Sequence, residues 1–431
     1  MPDLRPLRGI RYSPRAGNLV DLVAPPYDVI GPEEHAKLCL RSTYNIVRLI
    51  LGERPSPQIG PPPDWYGQAA RLLAAWQREG ILVQDAELAF YLYSQAFDHE
   101  GRRLRRKLLL SALRLEAYGS GSVFPHENTH AGPKADRLRL MTACRANLSP
   151  ILAFFPDHGA AVNGILEGLI ADEPAAAFTD DVGIQHELRC ILNAEAQEAL
   201  RLALAPLPLY IADGHHRYET ALAYRHAERR RLADPVGDLA CDFILAASMS
   251  GADPGLVIRP THRVVSWDGD QASEAVLARA ERWFSVQRLP GVGVSDALRA
   301  LAPPGRSVSF ILYGGRSAGY ALLELRDQEV MDDSPYPRNS PLRGLPAAVF
   351  AHTFLTKLLG PLGARVCYTP DAAEAVQQAN AGSRMLACLL PCVRPSELMA
   401  VVDAGERMPP KSTYFWPKPM TGMVLRSLER F

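Results

Sequence analysis

The stretch Ile211–Thr220, IADGHHRYET, decides how this chain is read. An apolar run, LPLYIA, delivers the backbone to Asp213 and Gly214, and the residues after them carry helical apolar spacing at Ala221, Leu222 and Tyr224. A glycine at that corner permits a tight turn and a close approach of backbone to a ligand. The first amides of such a helix lack intrahelical partners and sit at the positive end of its dipole, so the turn is a ready anion site. His215, His216 and Arg217 add donors there, the arginine through a planar fork that suits phosphate oxygens. Two plainer readings stand beside this one: Asp213 as an N-cap accepting from backbone amides, and the whole box as a capped helix with two incidental histidines. Adjacent histidines diverge around a helix, so His215 and His216 alone do not make a metal site, and no protein cluster for a metal is expected.

Outward from the box, VFPHENT predicts a loop, a helix opens near Lys134, and NLSPILAFF predicts a strand ending near Pro156. Residues 159–205 read as mostly helical, with one strand near Glu187. Closer to the N-terminus, ELAFYLYSQAFD and RRLRRKLLLSALRLE flank the turn-like HEG and predict a long hairpin. Its cluster from Arg102 to Lys107 reads as a solvated strand face, with contact to an anionic ligand as the alternative. TYNIVRLIL predicts a buried strand, Leu4 to Tyr12 a short one, and the proline-rich residues 53–64 neither helix nor central strand. Beyond about Asp268 helices and strands alternate, the habit of an α/β region.

The 431 residues are 47% hydrophobic and 22% charged, enough for a sizeable core and two or three domains. Forty-seven basic and 47 acidic side chains cancel, which argues against a broad nucleic-acid or membrane surface. No apolar stretch reaches the ~18 residues of a membrane span, and the arginines of the first fifteen residues precede no apolar run, so a cytoplasmic location is expected. Seven scattered cysteines suit a reducing compartment, and Cys388 and Cys392, in the apolar LACLLPCV, read as core. No Walker-type glycine run, dinucleotide fingerprint or nucleophile elbow occurs.

DGHHRYET resembles the phosphate-binding box of the ParB/sulfiredoxin superfamily, and is closest to the Asp-Gly-His-x-Arg form of the free serine kinases. Over its length the chain also resembles a bacterial and archaeal family known as a domain of unknown function. VAPPYDVI (23–30), PHENT (125–129), KADRL (134–138), NLSPI (147–151), PTHR (260–263) and MPPKSTYFWPK (408–418) recur there as landmarks. The resemblance implies an α/β (α+β) fold: a ParB/sulfiredoxin-like core over 121–267 with a long helical insertion near 157–198. Flanking α/β regions would then cover 1–120 and 268–431. Because PHENT, a helix, LSPI and the box follow in the order seen in free serine kinases, it puts Glu127 forward as general base. The interval from 127 to 213, 86 positions, exceeds what the compact kinase core needs, hence the insertion.

The function so implied is a nucleotide-dependent phosphotransferase on a small hydroxylated metabolite, serine-like by resemblance. Gly214, His215, His216, Arg217 and Tyr218 would bind phosphate, Asp213 and His216 would join Glu127 in catalysis, and ATP or ADP with Mg²⁺ would serve as cofactors. Tyr27, Asp28, His126, His130, Lys134, Arg263, Lys411, Ser412 and Thr413 are candidates for substrate contact or for support. Each has a plainer reading as turn former, solvated helix start, surface charge or core. His130, three residues after Glu127, is also a candidate partner for it. A nucleotide-binding or nucleotide-hydrolysing switch of ParB type is the alternative function, without a recognisable helix-turn-helix to support DNA binding. Sulfiredoxin-like repair is disfavoured, since His215 stands where that chemistry needs a cysteine. Whether one chain or a homodimer completes the site is left open.

Overall fold

The computed structural model describes residues 1–53, 62, 64–268, 271–301 and 308–429. The proline-rich loop expected over 53–64 lies almost wholly outside them. The chain forms two units: Met1–Pro125, Thr129–Val257 and Pro417–Phe431 in the first, and His126–Asn128 with Ile258–Trp416 in the second.

The first unit begins with strand β1 (Leu4–Arg5) and helices α1 (Pro32–Arg41) and α2 (Trp65–Arg78). Strands β2 (Phe90–His99), β3 (Arg102–Arg114) and β4 (Val123–Pro125) lead to α3 (Ala131–Cys144) and β5 (Ile151–Phe155). Then come α4 (Ala161–Gly168), β6 (Ala176–Thr179), β7 (Gln185–Ile191) and α5 (Ala194–Leu204). Strand β8 (Leu209–Asp213), helix α6 (His215–Arg231) and strand β9 (Phe243–Ser250) complete the set.

These strands build one mixed sheet in the order β4-β8-β5-β9-β3-β2-β7-β6, with β1 also on β3. The predicted hairpin is β2 and β3, paired antiparallel from Tyr91 opposite Leu110 to His99 opposite Arg102. Both strands are buried along most of their length, on both faces of the sheet. The arginine cluster divides accordingly: Arg102, Arg103 and Arg105 are exposed, as a solvated strand face requires, whereas Arg106 and Lys107 are buried. On one face Leu92, Leu109, Ile151, Ile211 and Ile244 pack with Tyr218 and Ala221 of α6 and Leu200 of α5 in a single cluster.

Three expectations are corrected. The expected boundary near residue 120 does not separate two units, because β2 and β3 share their sheet with β4 to β9, and β9 pairs with β3 over six residues. The segment 157–198 holds α4, the start of α5 and, as β7, the strand expected near Glu187, but also a strand outside the expectation: β6 forms a hairpin with β7, which pairs with β2 over seven residues to widen the sheet. The alanines of β6 favour helix locally, and strand pairing overrides that preference. TYNIVRLIL is not a strand. The buried Asn45 side chain accepts from the Val47 N–H at 2.9 Å and donates to the carbonyls of Asp21 and Val23, turning the chain into the single helical turn Val47–Ile50.

In the second unit, β10 (His262–Ser266), α7 (Ser273–Ala280), β11 (Phe284–Leu289), β12 (Ser309–Tyr313) and β13 (Tyr320–Leu325) come first. Next are β14 (Arg365–Thr369), α8 (Ala372–Ala379), β15 (Met385–Leu389) and α9 (Pro395–Asp403). The sheet order is β11-β13-β12-β15-β10-β14 and the pairings are antiparallel. Helices and strands do alternate in sequence here, as expected. Among the described residues no helix is long and apolar enough to cross a membrane.

Candidate functional site

Strand β8 carries Leu209 and Ile211 into the core, and its pairing with β5 slips between Ile211 and Asp213, where Ile211 faces Ala153 and Asp213 faces Leu152. A bulge of this kind re-aims the side chains that follow it. Asp213 thus ends the strand, and Gly214 turns the corner at φ +91°, in the left-handed region. Helix α6 opens at His215, and its N-cap is Gly214, which has no side chain to cap it. Asp213 is therefore not the N-cap that the plainer reading offered.

Its carboxylate is instead held by two cations. One oxygen accepts from the Lys418 ammonium, and the other from the Arg217 guanidinium at 2.6 Å. Arg217 also donates to the carbonyl of Pro150, joining the box to LSPI. All three side chains are largely buried, between 10% and 14% exposed. Burial alone would raise the Asp213 carboxyl, but the charges of Lys418 and then Arg217 outweigh it and hold the group well below the usual carboxylate range. A Cβ at position 214 would lie 2.9 Å from Nε and 3.0 Å from Cζ of Arg217, so glycine is needed here for space as well as for φ.

Tyr27, from the VAPPYDVI turn, comes to the same place. Its ring lies under the guanidinium of Arg137, 4.2 Å from ring centre to Cζ, and burial pushes its phenol up against the pull of Arg217. Asp28, one residue on, is exposed. On the other side of the turn the His130 N–H donates to Nε2 of His216 at 3.0 Å, and the two rings stack 6.1 Å apart. Lys134 and the Thr129 hydroxyl meet on Glu219, at 2.8 Å and 2.6 Å.

Tyr218 is a correction. Its hydroxyl donates to the Glu116 carbonyl and accepts from the Glu116 N–H, both at 2.9 Å, its ring stacks on Tyr118, and it is fully buried in the core cluster. One residue past Arg217, helical rotation turns it inward rather than toward the anion-binding end. His215 is buried at the turn, and its charge would add to the field on Asp213.

The second unit gathers the remaining candidates. His126 Nε2 lies 2.9 Å from the Thr413 hydroxyl, the Met408 N–H donates to the His126 carbonyl, and the Lys411 N–H reaches the Glu127 carboxylate at 3.3 Å. PHENT and MPPKST, more than 280 positions apart, are thus neighbours. Ser412 donates to the Pro409 carbonyl at 2.6 Å. Arg263 is buried in the same unit and donates to the carbonyls of Thr261 and, at 3.4 Å, of Lys411.

Lys418 and Arg137 are the residues that sequence reasoning missed. Lys418 closes the MPPKSTYFWPK landmark, and Arg137 lies within KADRL.

The model of the family described as "Protein of unknown function (DUF1015)" matches residues 4–348. The chain belongs to this family. No curated protein matches it. Among solved structures it is similar to SbnI with a C-terminal truncation from Staphylococcus aureus, at 10% identity over 73% of this chain and 86% of that one, TM-score 0.37. It is also similar to a free serine kinase in complex with AMP, at 14% identity over 68% and 83%, TM-score 0.31. A variant of free serine kinase in complex with ADP gives the same identity and coverage with TM-score 0.33.

Proposed function

We propose that this chain is a nucleotide-dependent phosphotransferase acting on a small hydroxylated metabolite, with the Asp213–Arg217 turn as its phosphate site. The observation that carries the reading is the clamped turn: a glycine-capped helix start whose preceding carboxylate is neutralised by two buried cations. An amide-lined helix start beside a lysine and an arginine attracts a phosphate through dipole and charge together. In this reading the amides after Gly214 take phosphate oxygens, while Arg217, fixed by Pro150 and Asp213, holds the shape of the turn rather than reaching out. Lys418 exchanges one Asp213 oxygen for a phosphate oxygen. His216, half-buried at the same turn, accepts from the His130 N–H, and Lys134 lies nearby, paired with Glu219.

Glu127 is the proposed general base, on the order of motifs that the sequence shares with free serine kinases. Its role would be to take the proton of the substrate hydroxyl. Among the described residues no group of three or more His, Cys, Asp or Glu side chains is placed to hold a metal ion. In this reading Mg²⁺ would be carried mainly by a nucleotide's phosphates, with Asp213 as the carboxylate the turn supplies. Bound there, the ion would neutralise phosphate charge.

Thermal-shift titration with ATP, ADP and AMP, each with and without Mg²⁺, tests the site. Ligand at a hundred times its Kd adds about 2.7 kcal/mol of apparent stability. A rise in Tm with a nucleotide, lost in Lys418→Met, supports the reading and justifies a screen of hydroxylated amino acids for phosphorylation. No rise with any nucleotide sinks it. Binding with no transfer to any acceptor would favour a nucleotide switch.

A further inference from the structure

The second unit holds a cavity of about 400 Å³, the size of a small-molecule site, that plays no part in the reading above. Leu345, Leu390 and Val393 form its apolar wall, and Arg263, Ser309 and Arg394 its polar one. Arg263 is the unusual member. It is 3% exposed, its guanidinium reaches the carbonyls of Thr261 and, at a long 3.4 Å, of Lys411 and lies 5.7 Å from the centre of the Tyr368 ring, and it forms no ion pair with any described carboxylate. The acidic residue on the lining, Glu397, is engaged elsewhere: it binds the Arg394 guanidinium at 2.8 Å and caps the first turn of α9.

A buried guanidinium without a counter-ion costs far more than one that is paired. Its surroundings register the uncompensated charge. Burial and then Arg263 push the neighbouring His262 down to about 4, so this histidine stays neutral and its Nδ1 accepts from the Leu390 N–H at 3.2 Å. An oxyanion in the cavity would give Arg263 the counter-ion that no described carboxylate supplies, and the apolar wall would take a small hydrophobic body.

We infer that this cavity binds a small organic oxyanion, a carboxylate or phosphate ester on an apolar body, with Arg263 as its anchor and Arg394 at its rim. The arginine fork suits either head group.

Cys392 lines the cavity and is exposed, whereas Cys367 is exposed on β14 and does not line it. Alkylation of the full chain by iodoacetamide, read peptide by peptide in a mass spectrometer, therefore reports occupancy at Cys392 against an internal control at Cys367. The probes are benzoate and phenyl phosphate, which share a body and differ in head group, inorganic phosphate, which has no body, and neutral benzyl alcohol. At ten times its Kd, benzoate or phenyl phosphate is expected to slow labelling of Cys392 about tenfold and leave Cys367 unchanged. Whichever protects at the lower concentration identifies the head group. Inorganic phosphate should protect weakly and benzyl alcohol not at all. Arg263→Met should abolish protection, and Arg394→Ala, an exposed rim change that spares the core, should weaken it several-fold. If neither aromatic anion protects Cys392 in the wild-type chain, or benzyl alcohol protects as well as benzoate, or Arg263→Met keeps full protection, the inference is overturned.

Discussion

The ammonium of Lys418 donates to a carboxylate oxygen of Asp213, a residue 205 positions earlier in the chain. With Arg217 on the other oxygen, the end of β8 and the C-terminal segment are fastened to one acid.

Removing one member of this cluster leaves a largely buried carboxylate with a single cation. Lys418→Met should cost about 1–3 kcal/mol in urea denaturation, less than breaking an isolated buried pair because Arg217 remains. The double variant with Asp213→Asn should recover part of that loss. A cost under about 0.5 kcal/mol for Lys418→Met would show that the pair contributes little. Because the folded carboxyl is depressed, the cluster's contribution is present in full above the unfolded value of about 4 and erodes as pH falls below it.

Gly214→Ala meets two obstacles at once, a left-handed φ and a guanidinium within 3.0 Å of the new methyl group. It should destabilise by roughly 1–3 kcal/mol and shift Arg217 off Asp213. The sharper readout is binding: any nucleotide-induced rise in Tm should disappear, whereas Tyr27→Phe, which keeps the ring over which Arg137 lies, should retain it. An unchanged nucleotide response in Gly214→Ala would remove the turn from the binding site.

His262 gives a pH dependence of definite sign. Its folded value, about 4, lies below the unfolded value of about 6.5, so the unfolded chain binds the proton first. Stability is unaffected by this group above about pH 6.5 and declines by up to about 3 kcal/mol as pH falls toward 4. His262→Asn should flatten that limb of the stability curve in denaturant titrations at pH 7, 5.5 and 4.5. If the variant and wild type decline in parallel, another group controls the acid limb.

Glu127→Gln separates base catalysis from binding. The side chain is at the surface of its loop and accepts from the Lys411 N–H, a bond that glutamine can also accept, so the fold should survive. Nucleotide binding by thermal shift should be unchanged, while phosphoryl transfer to the acceptor falls by about 10²–10⁴. Full turnover in this variant would exclude Glu127 as the base.

The amino-acid sequence by itself determined the strand, turn and helix of the Asp213 box, the β2–β3 hairpin and the α/β class, because each is written in short-range periodicity and turn residues. Local propensity misled where pairing partners were distant: the alanine-rich β6 became a sheet edge, and TYNIVRLIL became a single helical turn once the Asn45 amide bonded backbone from residues 21 to 47. Tyr218 sits in a binding motif by sequence, yet helical rotation sends it to the core. What only the tertiary structure decided is which groups meet: the Lys418 ammonium with Asp213, the Arg137 guanidinium with the Tyr27 ring, the Lys411 N–H with Glu127, and Arg263 with no acid among the described residues. The reason is physical. Backbone periodicity acts over a few residues and leaves a repeating mark in the sequence, whereas an ion pair between positions 213 and 418 depends on two chain paths converging and leaves none.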